Sequence, residues 1–252
     1  MKQRKIAALL MALLLTLSLF AGCGTTKNNE TTEGASSQGT ETIEQTSEAD
    51  ENTEAAEKLL NDLTGSYQEL WPVLFADEYS QTWLDDAAAF VGEENAEGAV
   101  EMLRSMVTAD IHGEDAVSKY AQHPDETAYD CSFAEGLVTL TVNGTTISGK
   151  DSEGNELFSH TYHYIGMEDQ RGLYEFESND ADSGEFTYFF FAPDTPQETY
   201  HIEFRYGNDK DAMETYDAKK YAYWLPSGIS ANYNRKMIED CIQLFCAENL
   251  AG

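Results

Sequence analysis

Between residues 129 and 206, apolar and polar side chains alternate with a period of two, which is the spacing of strands that bury one face. The dipeptide Asn143-Gly144 separates two such runs and predicts a tight hairpin. Six strands with short turns predict an antiparallel meander, which tends to curl into a barrel because closure removes exposed sheet edges. The predicted strands cover 137–142, 145–148, 157–164, 173–178, 186–192 and 200–206.

Helical spacing flanks the meander on both sides. The segment 53–122 is predicted to be helical, and further helices are predicted at 209–219 and 230–248, with Ser230 as the N-cap of the last one. These patterns predict a β-rich α+β domain in which N- and C-terminal helices flank an antiparallel barrel. The last helix carries one apolar stripe, formed by Met237, Ile238, Cys241, Ile242 and Phe245.

The first 22 residues have the pattern of a signal peptide. Three basic residues precede an apolar run from 6 to 20, which is shorter than the roughly 20 residues that a spanning helix needs. Small residues then lead to Cys23, an order typical of bacterial lipoproteins, in which this cysteine carries the lipid. An ordinary secretory peptide cleaved near the same point is the alternative. We therefore predict a lipid anchor on Cys23 at the extracytoplasmic face of the cell membrane.

Residues 23–52 are almost wholly small or polar. Such a segment buries too little apolar surface to offset the entropy lost on ordering, so we predict a solvated, disordered tether. The remaining residues, 53–252, are enough for one domain with a sizeable core.

The chain has a formal net charge of −31 and an isoelectric point near 4.2. Nucleic acid and anionic lipid head groups repel such a surface, whereas cations are attracted to it. We therefore predict no nucleic-acid partner. Surface carboxylates also keep a protein soluble, so the charge alone does not identify a metal-binding protein.

The sequence contains no motif of a familiar enzyme class: GxSxG, P-loop, GxGxxG and HExxH patterns are all missing. We predict a binding protein and not an enzyme. An uncharacterised hydrolase is kept as an alternative. The sequence has no CxxC pair, so neither a zinc ribbon nor a thioredoxin-like redox site is indicated. Cys131 could form a disulfide with Cys241 or Cys246, and the spacing does not choose between them.

The last predicted strand carries the clearest candidate site. His201, Glu203 and Arg205 alternate with apolar residues and therefore share one face. A histidine and a carboxylate two residues apart on a strand can chelate a divalent metal, since imidazole nitrogen and carboxylate oxygen both bind zinc. The alternative is a hydrogen-bonded His201 beside an ion pair between Glu203 and Arg205.

From Leu63 onward the chain resembles the ZinT (YodA) family of bacterial zinc-binding proteins. The resemblance implies a calycin-like (lipocalin-like) β-barrel flanked by helices. It rests on segments spread over nearly the whole domain: 66–74, the hairpin at 143–144, 171–177, 184–188, 192–193, 201–207 and 221–226.

The resemblance implies a metal site, from which this chain departs. The family holds its metal mainly with three histidines, and these positions fall on Phe189, His201 and Glu203. A site here would rest on His201, Glu203 and either water or a further carboxylate, such as Asp194 or Glu198 in the turn between. Exchanging imidazoles for oxygen ligands should weaken zinc binding and lessen the preference for zinc over manganese or calcium.

Two hypotheses follow. In the first, a membrane-tethered protein captures a divalent metal, zinc foremost, through His201 and Glu203. It would support metal uptake or buffering, and the resemblance suggests a metal-importing ABC transporter as its partner. In the second, a module of the same fold has lost metal binding and recognises another small ligand or a surface partner. Phe189 favours the second hypothesis, because phenylalanine cannot bind a metal.

Overall fold

The computed structural model describes residues 41–123, 126–215 and 221–251. The predicted signal peptide, 1–22, and Cys23 lie outside these residues. The first helix begins at Glu41, inside the segment 23–52 for which the composition predicts a tether. Among the helices of the described part, none combines the length and the apolar character needed to cross a bilayer.

Eight antiparallel strands form a closed barrel in which each strand pairs with its neighbours in sequence and β1 pairs with β8. This confirms the predicted barrel, and the six predicted strands correspond to β2–β7. The strands are β1 Gly65–Glu69, β2 Thr139–Asn143, β3 Thr146–Lys150, β4 Glu156–Met167, β5 Tyr174–Ser178, β6 Tyr188–Phe191, β7 His201–Gly207 and β8 Ser227–Ser230.

Helices precede and follow the barrel, as the helical spacing predicts. They are α1 Glu41–Asp62, α2 Leu70–Leu74, α3 Ser80–Val91, α4 Glu93–Val107, α5 Glu114–Gln122, α6 Lys210–Met213 and α7 Arg235–Leu250. Short 3-10 turns occupy Asp77–Tyr79 and Gly184–Phe186.

The two strands that close the barrel are absent from the sequence prediction. The first, β1, lies within the segment predicted to be helical, and β8 ends at Ser230, the residue at which the last helix is predicted to begin. Ser230 therefore ends a strand instead of capping α7. The cap is Asn234, whose side chain accepts a hydrogen bond of 3.1 Å from the backbone N–H of Met237.

Alternate residues of the strands fill the barrel interior. On β7, Ile202, Phe204 and Tyr206 are at most 1% exposed. On β6, Phe189 and Phe191 stack with ring centroids 5.8 Å apart and belong to the same core. Burying one large apolar side chain contributes about 1.5–3 kcal/mol, so these rings are a main source of stability.

A second apolar core lies between the outer face of the barrel and the helices. Within it, the ring of Trp71 lies 4.8 Å from that of Phe245 on α7. Trp83 stacks on Phe75 at 4.7 Å and donates a hydrogen bond of 2.8 Å to the carbonyl of Leu74. Helix α7 is therefore packed against α2 and α3 through aromatic contacts.

Two glycines provide a stability test of this packing. A Cβ at Gly207, at the end of β7, would lie 1.9 Å from the hydroxyl oxygen of Tyr221, whereas a Cβ at Gly98 in α4 would meet nothing within 4 Å. We expect Gly207→Ala to lower the free energy of unfolding by about 1–3 kcal/mol. As the control, Gly98→Ala should raise it by about 0.5–1 kcal/mol, because alanine favours a helix interior. Urea denaturation measures both, and a Gly207→Ala protein as stable as the wild type would contradict the packing of Tyr221 against β7.

Candidate functional site

His201 and Glu203 lie on the outward face of β7, as the alternation predicts. His201 is opposite Ile229 of β8, which belongs to the core beneath the helices. The imidazole Nε2 of His201 is 3.7 Å from the carboxylate of Glu203, and the two side chains are 18% and 31% exposed. Both groups are thus partly shielded from water but still reachable by a small solute.

The carbonyl oxygen of Thr199 orients the imidazole. It lies 2.7 Å from Nδ1 of His201 and accepts a hydrogen bond when that nitrogen carries the proton. In this tautomer Nε2 keeps its lone pair and points towards Glu203. A histidine that ligates a metal is held in the same way, with its other nitrogen bonded to a carbonyl or carboxylate.

A thiol from α7 joins this group. The Sγ of Cys241 lies 3.9 Å from the same Thr199 carbonyl oxygen, so the thiol and the imidazole meet at one acceptor. Burial acts to lower the pKa of His201, but interactions with Cys241 and Glu203 outweigh it and raise that pKa well above its ordinary value. A metal at this imidazole would therefore have to compete with a proton.

Two further carboxylates lie within electrostatic range of the pair. Asp194 lies in the connection between β6 and β7, and Glu248 lies in the last turn of α7. Burial raises the pKa of both carboxyls, the charge on Glu203 raises both further, and His201 acts in the opposite direction on both. The carboxylates of Glu203 on β7, Asp194 in the β6–β7 connection and Glu248 on α7 thus all interact electrostatically with one imidazole. This concentration of negative charge attracts a cation.

The sequence left open an ion pair between Glu203 and Arg205 in place of a metal site. In the structure, other contacts position Arg205. Its guanidinium is fully buried and donates hydrogen bonds to the carbonyl oxygens of Met213, at 2.9 Å, and Tyr221, at 2.6 Å. Glu203 instead lies 3.7 Å from His201, which is two residues away on the same face of β7.

The position that the resemblance assigns to a first histidine is on the other side of the sheet. Phe189 points into the barrel, where its ring lies 5.4 Å from those of Tyr162 and Tyr206. It is completely buried. His201 and Glu203 face the helices instead, so a side chain at 189 cannot reach them through the sheet.

The three cysteines within the described residues are free thiols: Cys131, Cys241 and Cys246 are all buried and unpaired with one another. Burial raises the pKa of the Cys131 thiol, and the charge on Glu203 raises it further. Two thiols, from Cys131 and Cys241, therefore lie within the electrostatic reach of the His201–Glu203 pair.

As the side chains stand, no three histidine, cysteine, aspartate or glutamate groups within the described residues are arranged to hold a metal ion. The donor types nevertheless suit a divalent metal, since one oriented imidazole and nearby carboxylates are ligands for zinc or manganese. Binding at this cluster thus requires a carboxylate or thiol to rotate towards His201. Glu248 has the longest side chain among the extra carboxylates.

Sequence reasoning found part of this cluster. It singled out His201 and Glu203, and it named Asp194 and Glu198 as further carboxylates. Glu198 is exposed, whereas Asp194 interacts with the pair. Cys241 appeared only in an apolar stripe and as a possible disulfide partner of Cys131, and Glu248 only as a helix residue.

No protein-family model and no curated protein matches the chain. Among solved structures, the chain is similar to the Zn(II)-bound ZinT-like domain of Streptococcus pneumoniae AdcA, with 17% identity and a TM-score of 0.46 over 75% of this chain and 89% of that one. It is also similar to Zn(II)-bound AdcA from Streptococcus pneumoniae, with 17% identity and a TM-score of 0.40, and spans 35% of that chain.

Proposed function

We propose that this chain is a lipid-anchored, extracytoplasmic binding protein for a divalent metal, zinc foremost, and that it supports metal uptake or buffering instead of catalysing a reaction. His201 is the nitrogen ligand, and Glu203 is the first oxygen ligand. Asp194 and Glu248 supply further negative charge at the same place.

One observation carries the proposal: an imidazole with its Nδ1 held by a backbone carbonyl lies 3.7 Å from the carboxylate of Glu203, and Asp194 and Glu248 are within electrostatic range. The hydrogen bond to Thr199 fixes the ring, so little rotational freedom of His201 is lost when Nε2 binds an ion. Shielding of the pair from water strengthens its attraction for a cation, because the effective dielectric constant is lower than at an open surface.

Calorimetric titration of zinc into the purified full chain tests the proposal directly. We expect saturable binding of one ion per chain. The same titration with manganese and calcium ranks the metals, and zinc should bind most tightly because it alone gains strongly from imidazole and thiol donors. A folded protein that shows no saturable binding of any of the three ions would contradict the proposal.

The anchor and the transporter partner rest on the sequence alone. Cys23→Ser should move the protein from the membrane fraction to the soluble fraction, whereas Cys246→Ser, the control, should leave it in the membrane fraction. A Cys23→Ser protein that stays with the membrane would contradict lipid anchoring. A metal-importing ABC transporter is the partner that the family resemblance suggests.

A second function is favoured by a specific observation. Phe189 is packed inside the barrel, and no three ligating groups of the described residues are yet arranged around an ion. A module of this fold that binds another small ligand would show both features. The zinc titration separates the two, because such a module would stay folded and bind no metal.

A further inference from the structure

A buried carboxylate lies on a different part of the barrel wall from His201. Glu175 of β5 is 3% exposed, and its Oε2 forms an ion pair of 2.9 Å with the ammonium of Lys210. Lys210 also contacts the carboxylate of Glu214, so two acids share one base. The second oxygen of Glu175, Oε1, is buried and accepts no hydrogen bond from any residue that the structure describes.

A buried carboxylate oxygen without a donor is costly, since the hydrogen bonds that water provided are lost. Burial raises the pKa of Glu175, the ion pair with Lys210 acts in the opposite direction, and the neighbouring carboxylate of Glu214 raises the pKa further. An N–H donor brought by a ligand would satisfy the oxygen and remove the cost.

A cavity of about 290 Å³ is lined in part by Glu175. Its wall carries four carboxylates, from Glu168, Asp169, Glu175 and Glu214, and one ammonium, from Lys210. The oxygens of Glu168 already accept backbone hydrogen bonds from its own turn, including one of 3.0 Å from Arg171. The remaining acids give the cavity an excess of negative charge.

A second cavity, of about 510 Å³, continues from the first, and both are lined by Gly166, Met167 and Asp169. Its wall also includes Tyr164 and Ile165, which are apolar or aromatic. A register shift between Tyr164 and Gly166 interrupts the pairing of β4 with β5 at this point. The two cavities together form a groove with an acidic end, at Glu175 and Glu214, and a less acidic end, at Tyr164 and Ile165.

The chemistry of the groove selects its occupant. Because no three ligating groups of the described residues are arranged around an ion, the acids here do not form a metal cage. We propose that the groove binds a small organic cation, with a primary ammonium group at Glu175 and an apolar body against Tyr164, Ile165 and Met167. The ammonium supplies the donor that Oε1 lacks, and the two cavities together match the size of small-molecule sites, about 300–1,000 Å³.

Titration calorimetry of the full chain tests this with two probes of nearly equal shape, 2-phenylethylamine and 2-phenylethanol. We expect saturable binding of the amine and at least about tenfold weaker binding of the alcohol, because only the amine offers a charged donor. Glu175→Gln should weaken amine binding by about tenfold or more. The matched control is Glu177→Gln, on the same strand and the same face but outside the groove, and it should leave amine affinity within about twofold.

Several outcomes overturn the proposal: no saturable amine binding, equal affinity for amine and alcohol, or equal losses in the Glu175 and Glu177 variants. Thermal melting checks that Glu175→Gln folds. If it does not, Asp169→Asn at the exposed mouth replaces it and should still weaken the amine more than the alcohol. The groove is not lined by the residues of the proposed metal site, which are His201, Glu203, Asp194 and Glu248. Zinc binding and amine binding can therefore succeed or fail independently of each other.

Discussion

His201→Ala is expected to abolish saturable zinc binding, with a loss in affinity of more than about 100-fold. His201 is the one imidazole of the cluster, and it is the only group there whose second nitrogen is held by a backbone carbonyl, Thr199 O, at 2.7 Å. Without it, the carboxylates of Glu203, Asp194 and Glu248 would attract cations only loosely. Zinc calorimetry on the variant, with its melting temperature as a check of folding, measures the effect.

His160→Ala is the matched control for that experiment. His160 also lies on a strand beside a carboxylate, with Nδ1 2.9 Å from Asp180, and its side chain is 15% exposed. It lies on β4, away from α7, so its removal should leave zinc binding unchanged. Equal affinity in His201→Ala and wild type, or loss of binding only in His160→Ala, would place the metal elsewhere.

Phe189→His is expected to destabilise the protein by about 2–4 kcal/mol and to leave zinc affinity unchanged. The substitution restores the histidine that the family resemblance assigns to this position, but the side chain lies in the barrel interior, packed on Tyr162 and Tyr206. A polar ring there leaves nitrogen atoms without partners and fills the space of phenylalanine poorly. Urea denaturation and zinc calorimetry measure the two effects.

Glu203→His is the counterpart on the other face of the sheet. It places a second imidazole beside His201 and should raise zinc affinity, because zinc prefers imidazole nitrogen to a carboxylate in such sites. If Phe189→His raised zinc affinity and Glu203→His did not, the assignment of inner and outer faces on β6 and β7 would be wrong.

The barrel could be predicted from sequence because its six middle strands alternate with a period of two and are joined by short turns. The closing strands could not. The first, 65–69, is five residues long and follows directly on a helix, and β8 carries two serines and a glycine in four residues. Neither has a strong pattern of its own, and they become strands because each completes the ladder of the other: Tyr67 pairs with Ser230, and Glu69 with Gly228.

The candidate site, too, could be predicted from the sequence only in part. His201 and Glu203 are two residues apart on one strand, so local alternation places them together. Glu248 and Cys241 come from α7, and only the docking of that helix on the outer face of β7 and β8 decides that they lie beside His201. The inward direction of Phe189 likewise depends on its register with Tyr206 across the strand pair.

The aromatic contacts beneath α7 give the molecule an optical reporter of its own. Indole emission responds to the polarity and the quenching groups around the ring, and Trp71 touches Phe245, four residues after Cys241 and three before Glu248. A movement of α7 large enough to bring either side chain onto an ion would therefore change the surroundings of Trp71. Binding at His201 can thus be followed as a change in intrinsic fluorescence, without any attached dye.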